Sequence, residues 1–164
     1  MTEFKVYTDG SVSNNGKLNP KGGIGIFFKD NNLNNLGLQL HIDNVTNNIC
    51  ELEACRQAII IIINNPKFIK NNNTILICTD SIYVINSISK WSSNWEKNNW
   101  KNSKNETIKN INLIQEIRKY YLKYNIIFKY IKAHQKKPKI DDINYTDWYG
   151  NNQADLLAKN SYLN

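Results

Sequence analysis

Four carboxylates and one histidine stand where the pattern of this 164-residue chain changes, and such places leave a side chain free for chemistry. Asp80 closes Thr74-Ile75-Leu76-Ile77-Cys78-Thr79, a mostly β-branched and apolar run after the Asn71-Asn72-Asn73 turn. That run reads as a buried strand, and helical spacing resumes over 81–88. Asp80 is therefore expected at a strand's carboxyl end, where open α/β sheets bind ligands. Asp9 ends or bends a first strand over 4–8, Glu51 falls in the early turns of a helical stretch over 46–65, and Asp155 lies early in a last helix over 150–159. His134 follows directly on a strand over 126–133. Four acids brought together would repel one another and hold each other's pKa up unless cations neutralise them. An all-oxygen ligand set suits Mg²⁺ or Mn²⁺ rather than zinc, and two such ions about 4 Å apart are the common arrangement for phosphodiester hydrolysis.

Each residue also has an ordinary explanation. Asp80 could N-cap the helix after it. Asp9-Gly10 is a hairpin-turn dipeptide, and Glu51 suits the positive end of a helix. Asp155 precedes Lys159 by four residues, an ion-pair spacing, and a lone histidine at a strand end is usually a surface residue. The residues alone leave convergence open.

Periodicity predicts the elements that must do the positioning. Strands are expected over 4–8, 24–29 and 36–42, joined by a glycine-bearing loop over 14–23 and a polar turn over 30–35; connections this short imply an antiparallel meander. Ile49, Leu52, Cys55, Ile59 and Ile62 recur at helical steps. A second long helix is expected over 105–123, a last strand over 126–133, and a polar loop over 135–149. The result is an α/β fold with one mixed sheet flanked by helices, Asp9 on a central strand and Asp80 at the end of its neighbour.

Length and the lack of a Pro- or Gly-rich linker predict a single domain over 1–164. The net charge of +7 is uneven, with 13 Lys or Arg against 3 Glu between Lys90 and Lys139. A basic half beside an acid-bearing half suits a polyanion held by one and processed by the other. Within it, residues 89–105 interleave Trp91, Trp95 and Trp100 with Lys90, Lys97, Lys101 and Lys104, aromatics for stacking and cations for phosphate. Packing of the three Trp into a small protrusion is the competing explanation. Cys50, Cys55 and Cys78 lack metal-type pairing and suit a reduced interior. The longest apolar run, 58–63, is too short for a membrane span, so a soluble intracellular protein is expected, with no membrane partner.

Four segments then resemble a known family in order and spacing. Tyr7-Thr8-Asp9-Gly10-Ser11, Thr46-Asn47-Asn48-Ile49-Cys50-Glu51-Leu52-Glu53-Ala54, Thr79-Asp80-Ser81-Ile82-Tyr83-Val84 and Gly150-Asn151-Asn152-Gln153-Ala154-Asp155 are similar to the signature segments of type 1 ribonuclease H. The likeness implies the ribonuclease H-like fold, a five-stranded mixed sheet with three antiparallel and two parallel strands. It also implies an endonuclease that cuts the RNA strand of an RNA–DNA hybrid with two Mg²⁺ ions, Mn²⁺ being a possible substitute, and leaves 5′-phosphate and 3′-hydroxyl ends. Asp9, Glu51, Asp80 and Asp155 match the family's metal-binding catalytic carboxylates and His134 its auxiliary histidine. Ser11, Asn19, Thr46, Asn47, Asn48 and Asn110 match nucleic-acid-binding positions. The 89–105 segment, with Trp91, Trp95, Lys97, Trp100, Lys101 and Lys104, resembles the family's basic protrusion. A monomer is expected.

The chain departs from that pattern at Ile82, where a polar residue is common, at Glu96, an acid inside the protrusion, and in the long stretch from His134 to Asp155. No separate hybrid-binding module is expected ahead of Phe4. A related polynucleotidyl transferase or junction nuclease, an idle hybrid-binding module and an excised reverse-transcriptase domain are the rival expectations.

Overall fold

The structure, a computed structural model, describes residues 2–29 and 33–163. Strand β1 (Thr2–Ser13) lies at the centre of a five-stranded sheet. It pairs antiparallel with β2 (Lys21–Phe28), which pairs antiparallel with β3 (Leu36–Leu40). On its other side β1 runs parallel to β4 (Asn73–Thr79), and β4 parallel to the edge strand β5 (Ile126–Tyr130). The order β3-β2-β1-β4-β5 matches the three antiparallel and two parallel strands expected. Of the 30–35 turn, residues 30–32 lie outside the described residues.

Helix α1 (Asn47–Ile63) and helix α4 (Ile111–Lys123) cover one face. Val6, Ile24, Ile26, Leu52, Ile59, Ile62, Ile75, Ile77, Ile114 and Ile117 are fully buried there. Each such side chain contributes roughly 1.5–3 kcal/mol on burial, so this face carries most of the apolar stabilisation. Helix α5 (Tyr145–Leu163) covers the other face over a smaller apolar cluster of Tyr7, Cys78, Ile131 and Ala154. A polar clamp supplements it: Asp147 accepts from the Tyr7 hydroxyl at 2.7 Å and pairs with Lys5 at 2.8 Å and Lys129 at 2.6 Å.

After β4, α2 (Ile82–Asn86), a π-helical turn (Ser87–Trp91) and α3 (Ser92–Lys97) form one continuous helical run. Two N-caps start helices: the Thr46 hydroxyl accepts from the Ile49 N–H at 3.3 Å and the Ser81 hydroxyl from the Val84 N–H at 3.2 Å.

Among the boundaries that differ from expectation, four bear on the site and its surroundings. β1 does not end at Asp9-Gly10; pairing with β2 continues to Ser13, so there is no hairpin turn there. α4 starts at Ile111 rather than 105, because Asn105 and Asn110 adopt positive φ and the Asn102 side chain accepts from the Lys104 and Glu106 N–H groups. β5 stops at Tyr130 rather than 133, because its one neighbour, β4, stops at Thr79, the residue paired with Tyr130. α5 starts at Tyr145 rather than 150, which puts Asp155 in mid-helix; Gly150 is not a boundary but a close contact of the Tyr7 ring.

Candidate active site

Alternation along β1 sends Tyr7, Asp9 and Ser11 to the α5 face, and each meets that helix. Tyr7 bonds Asp147, Asp9 interacts with Asp155, and the Ser11 hydroxyl lies 2.7 Å from that of Tyr162. Gly25, the partner of Asp9 on β2, also faces α5, and a Cβ there would overlap the Ala154 carbonyl. Glu51 arrives from the opposite face. Gly10 makes this possible, since a Cβ on it would lie 2.5 Å from the Glu51 nitrogen and 2.6 Å from the Cys50 carbonyl carbon. The carboxyl end of β4, next to β1 in parallel register, delivers Asp80.

One oxygen from each of Asp9, Glu51 and Asp80 lies within 4.8 Å of the others. The three border a cleft of about 320 Å³ that Asp155, His134, Ser11 and Asn47 also line. Asp155 stands outside the tight trio and pairs with Lys159 at 2.9 Å, so its ion-pair explanation and its place at the cleft both hold. Asp80 is not the cap of α2, because Ser81 is.

Burial, and then the charges of Glu51 and Asp80, push the Asp9 carboxyl far above the ordinary range. Burial raises Glu51 to about 8, although contacts with Asp9 and the Gly10 N–H oppose the shift. Burial also raises Asp80, offset by the Asn151 amide that donates to it at 3.3 Å and by the nearby His134. A second Glu51 oxygen, Oε2, is buried with no hydrogen-bond partner. Such an orphan carboxylate oxygen among acids held up in pKa fits a hard divalent cation, which would take all three carboxylates as ligands and remove their repulsion.

A family model for RNase H matches residues 1–162 of this sequence. The chain belongs to the ribonuclease H family. It is 37% identical over 147 residues to the probable ribonuclease H of Acanthamoeba polyphaga mimivirus, covering 90% of this chain and 61% of that protein. It is 35% identical over 154 residues to the ribonuclease H of Schizosaccharomyces pombe, covering 94% of this chain and 51% of that one. The chain thus spans only half to three-fifths of these two relatives. The PFV RNase H domain superposes with a TM-score of 0.70 at 28% identity, covering 96% of this chain and 93% of that one.

The remaining positions matched to ribonuclease H fall into groups. Asn19, Thr46, Asn47 and Asn48 are exposed, and the Asn47 N–H donates to the Asn15 side chain at 3.2 Å, tying the 14–20 loop to the start of α1. Trp91, Trp95, Lys97 and Lys101 border a separate depression, while Lys104 is exposed. The tryptophans divide between the two explanations. Trp95 and Trp100 pack on the core, and Trp91 is more open, at the end of a ring series from Trp100 through Trp95. Asn110 donates to the Tyr83 hydroxyl at 3.1 Å. Glu96 pairs with Arg118 of α4 at 2.7 Å, so its charge is matched from outside the protrusion. Ile82 is exposed. Among the described residues, no helix is long and apolar enough to cross a membrane.

Sequence reasoning assigned no part to Asn151, Lys132 or Trp148 and gave Lys159 only its pair with Asp155; all four line the cleft. Asn151, Asp155 and Lys159 share a four-residue spacing inside the expected 150–159 helix, the signal of one helix face, but the spacing does not say that this face lines the cleft. Nothing local in the sequence marks Trp148 as a neighbour of His134.

Proposed function

We propose that the chain is a divalent-cation-dependent endoribonuclease that hydrolyses the RNA strand of RNA–DNA hybrids, leaving 5′-phosphate and 3′-hydroxyl ends. The observation that carries this reading is the Asp9, Glu51 and Asp80 trio around an unpartnered Glu51 oxygen, in a chain of the ribonuclease H family. In this reading Asp9, Glu51 and Asp80, with Asp155 beside them, hold two Mg²⁺ ions, Mn²⁺ substituting. When bound, the cations stabilise negative charge on the phosphate and acidify water.

The chain's own residues set where the backbone lies. Asn151 holds the Asp80 carboxylate in orientation, and Lys159 donates to the Asp155 carboxylate at the cleft wall. His134, exposed at the cleft mouth, exchanges a proton at an imidazole nitrogen and aids turnover. Asn19, Thr46, Asn47 and Asn48 present donors and acceptors to a shallow minor groove, where 2′-hydroxyls distinguish RNA from DNA. Lys97, Lys101 and Lys104 grip the companion strand through phosphates, so little sequence preference and strong salt dependence are expected.

Cleavage of a labelled hybrid tests the reading beside single-stranded RNA, duplex RNA and duplex DNA, with Mg²⁺ or EDTA, and with Asp80→Asn as control. Metal-dependent cutting confined to the hybrid's RNA strand is expected, and Asp80→Asn should abolish it. Equal cutting of duplex DNA would replace the reading with a general nuclease; tight hybrid binding without cutting would leave a binding module.

A further inference from the structure

The stretch from 132 to 139, Lys-Ala-His-Gln-Lys-Lys-Pro-Lys in order, holds four lysines and no acid. Lys132, Lys136, Lys137 and Lys139 are all exposed, and among the described residues none pairs with a carboxylate, whereas Lys129 just before them is tied to Asp147. The stretch is anchored at the cleft rather than trailing from it. The Trp148 indole N–H donates to the Gln135 carbonyl at 3.2 Å, and the Lys137 ammonium lies 5.8 Å above the Trp148 ring. Lys132 and Trp148 line the same cleft as the three carboxylates. These residues sit on the α5 side, where Ile131 packs with Tyr7 and Ala154. Trp95 and Trp100 of the 89–105 protrusion pack into the opposite core, under α1 and α4. The two cationic segments therefore pack with different core clusters, the 132–139 stretch on the α5 side and the protrusion on the side of α1 and α4.

We propose that residues 132–139, seated on Trp148, form a second cationic arm that holds the phosphodiester backbone of the hybrid across the cleft from the protrusion. The inference rests on the ribonuclease H reading for its ligand. A lysine-rich segment backed by an indole is the composition that binds a nucleic-acid backbone without reading bases. Two such arms would hold one duplex at two places and limit its rotation over the site.

The test compares the unmodified arm with K136A/K137A/K139A in two assays. Fluorescence anisotropy of a labelled hybrid, in EDTA and on an Asp80→Asn background, reads binding against salt; steady-state cleavage with Mg²⁺ reads kcat and KM. Loss of three phosphate contacts should lower the slope of log affinity against log salt by about 2–3 and raise KM roughly 3- to 30-fold near physiological salt. The value of kcat should stay within about two-fold, the signature of binding shared by ground and transition states. A triple Lys→Arg variant should retain wild-type values, and K67A/K70A, at the opposite end of the sheet, should change neither. An unchanged salt slope, or an equal loss in the K67A/K70A control, overturns the arm. Failure of the unmodified protein to cut any hybrid would sink the nuclease reading, while anisotropy would still decide whether the arm binds.

Discussion

Replacing Asp80 with Asn should make the metal-free protein more stable while removing its activity. Its carboxylate oxygen lies within 4.8 Å of one from Asp9 and one from Glu51. Two full charges at that distance repel by about 3.5 kcal/mol at an effective dielectric near 20. Asp9 already relieves part of this by staying protonated, since burial and its neighbours raise its pKa, so a net gain of about 1–3 kcal/mol is expected. For a chain of this size that is a rise in Tm of roughly 3–10 °C. The pH dependence has a definite sign. A carboxylate raised on folding binds more protons in the folded state, so its contribution is complete below the unfolded pKa and is lost as pH rises through the folded one. Glu51 is raised to about 8, so the advantage of Asp80→Asn should grow as pH climbs from about 5 to 8. Thermal unfolding followed by circular dichroism in EDTA measures this directly. Added Mg²⁺ should then stabilise the wild type more than the variant and close the gap. A variant that melts at or below the wild type in EDTA at the alkaline end, or a gap indifferent to pH, would refute the electrostatic argument.

Other expectations are more local. Gly10→Ala should cost about 1–3 kcal/mol from overpacking against the α1 backbone and should lower cleavage by displacing Glu51, which thermal unfolding and kcat together would reveal. Asp147→Asn should destabilise by roughly 1–3 kcal/mol at neutral pH, through loss of charged partners in a half-buried clamp. Burial alone would raise Asp147, but hydrogen bonds from Lys129, Lys5 and Tyr7 pull it down to about 2. Its contribution is therefore present above about pH 4 and lost as pH falls through about 2, so acid-unfolding curves of wild type and variant should converge there. His134→Ala should lower kcat on the order of ten- to a hundred-fold without abolishing cleavage, the scale of a proton-transfer aid; complete loss at saturating Mg²⁺ would assign it a larger role.

Local pattern determined much of this protein. The β-branched run before Asp80 and the helical steps of Ile49, Leu52, Cys55, Ile59 and Ile62 are decided within a few residues, so these elements were legible from the chain alone, whereas the five-strand sheet and the joint role of the four acids came with the resemblance to ribonuclease H. What only the tertiary structure decided depends on neighbours far away in sequence. β5 ends where β4 runs out of partners, and Gly150 lies inside α5 as the point where the helix packs against the Tyr7 ring, neither of which a window of ten residues contains. The same holds for the convergence itself. Asp9 and Glu51 meet because Gly10 has no side chain, Asp80 joins them through parallel register with β1, and Trp148 comes under Lys137 because α5 folds back across the sheet. Periodicity records which face a residue occupies; the distance between two faces is set by the packing of side chains that the pattern does not place.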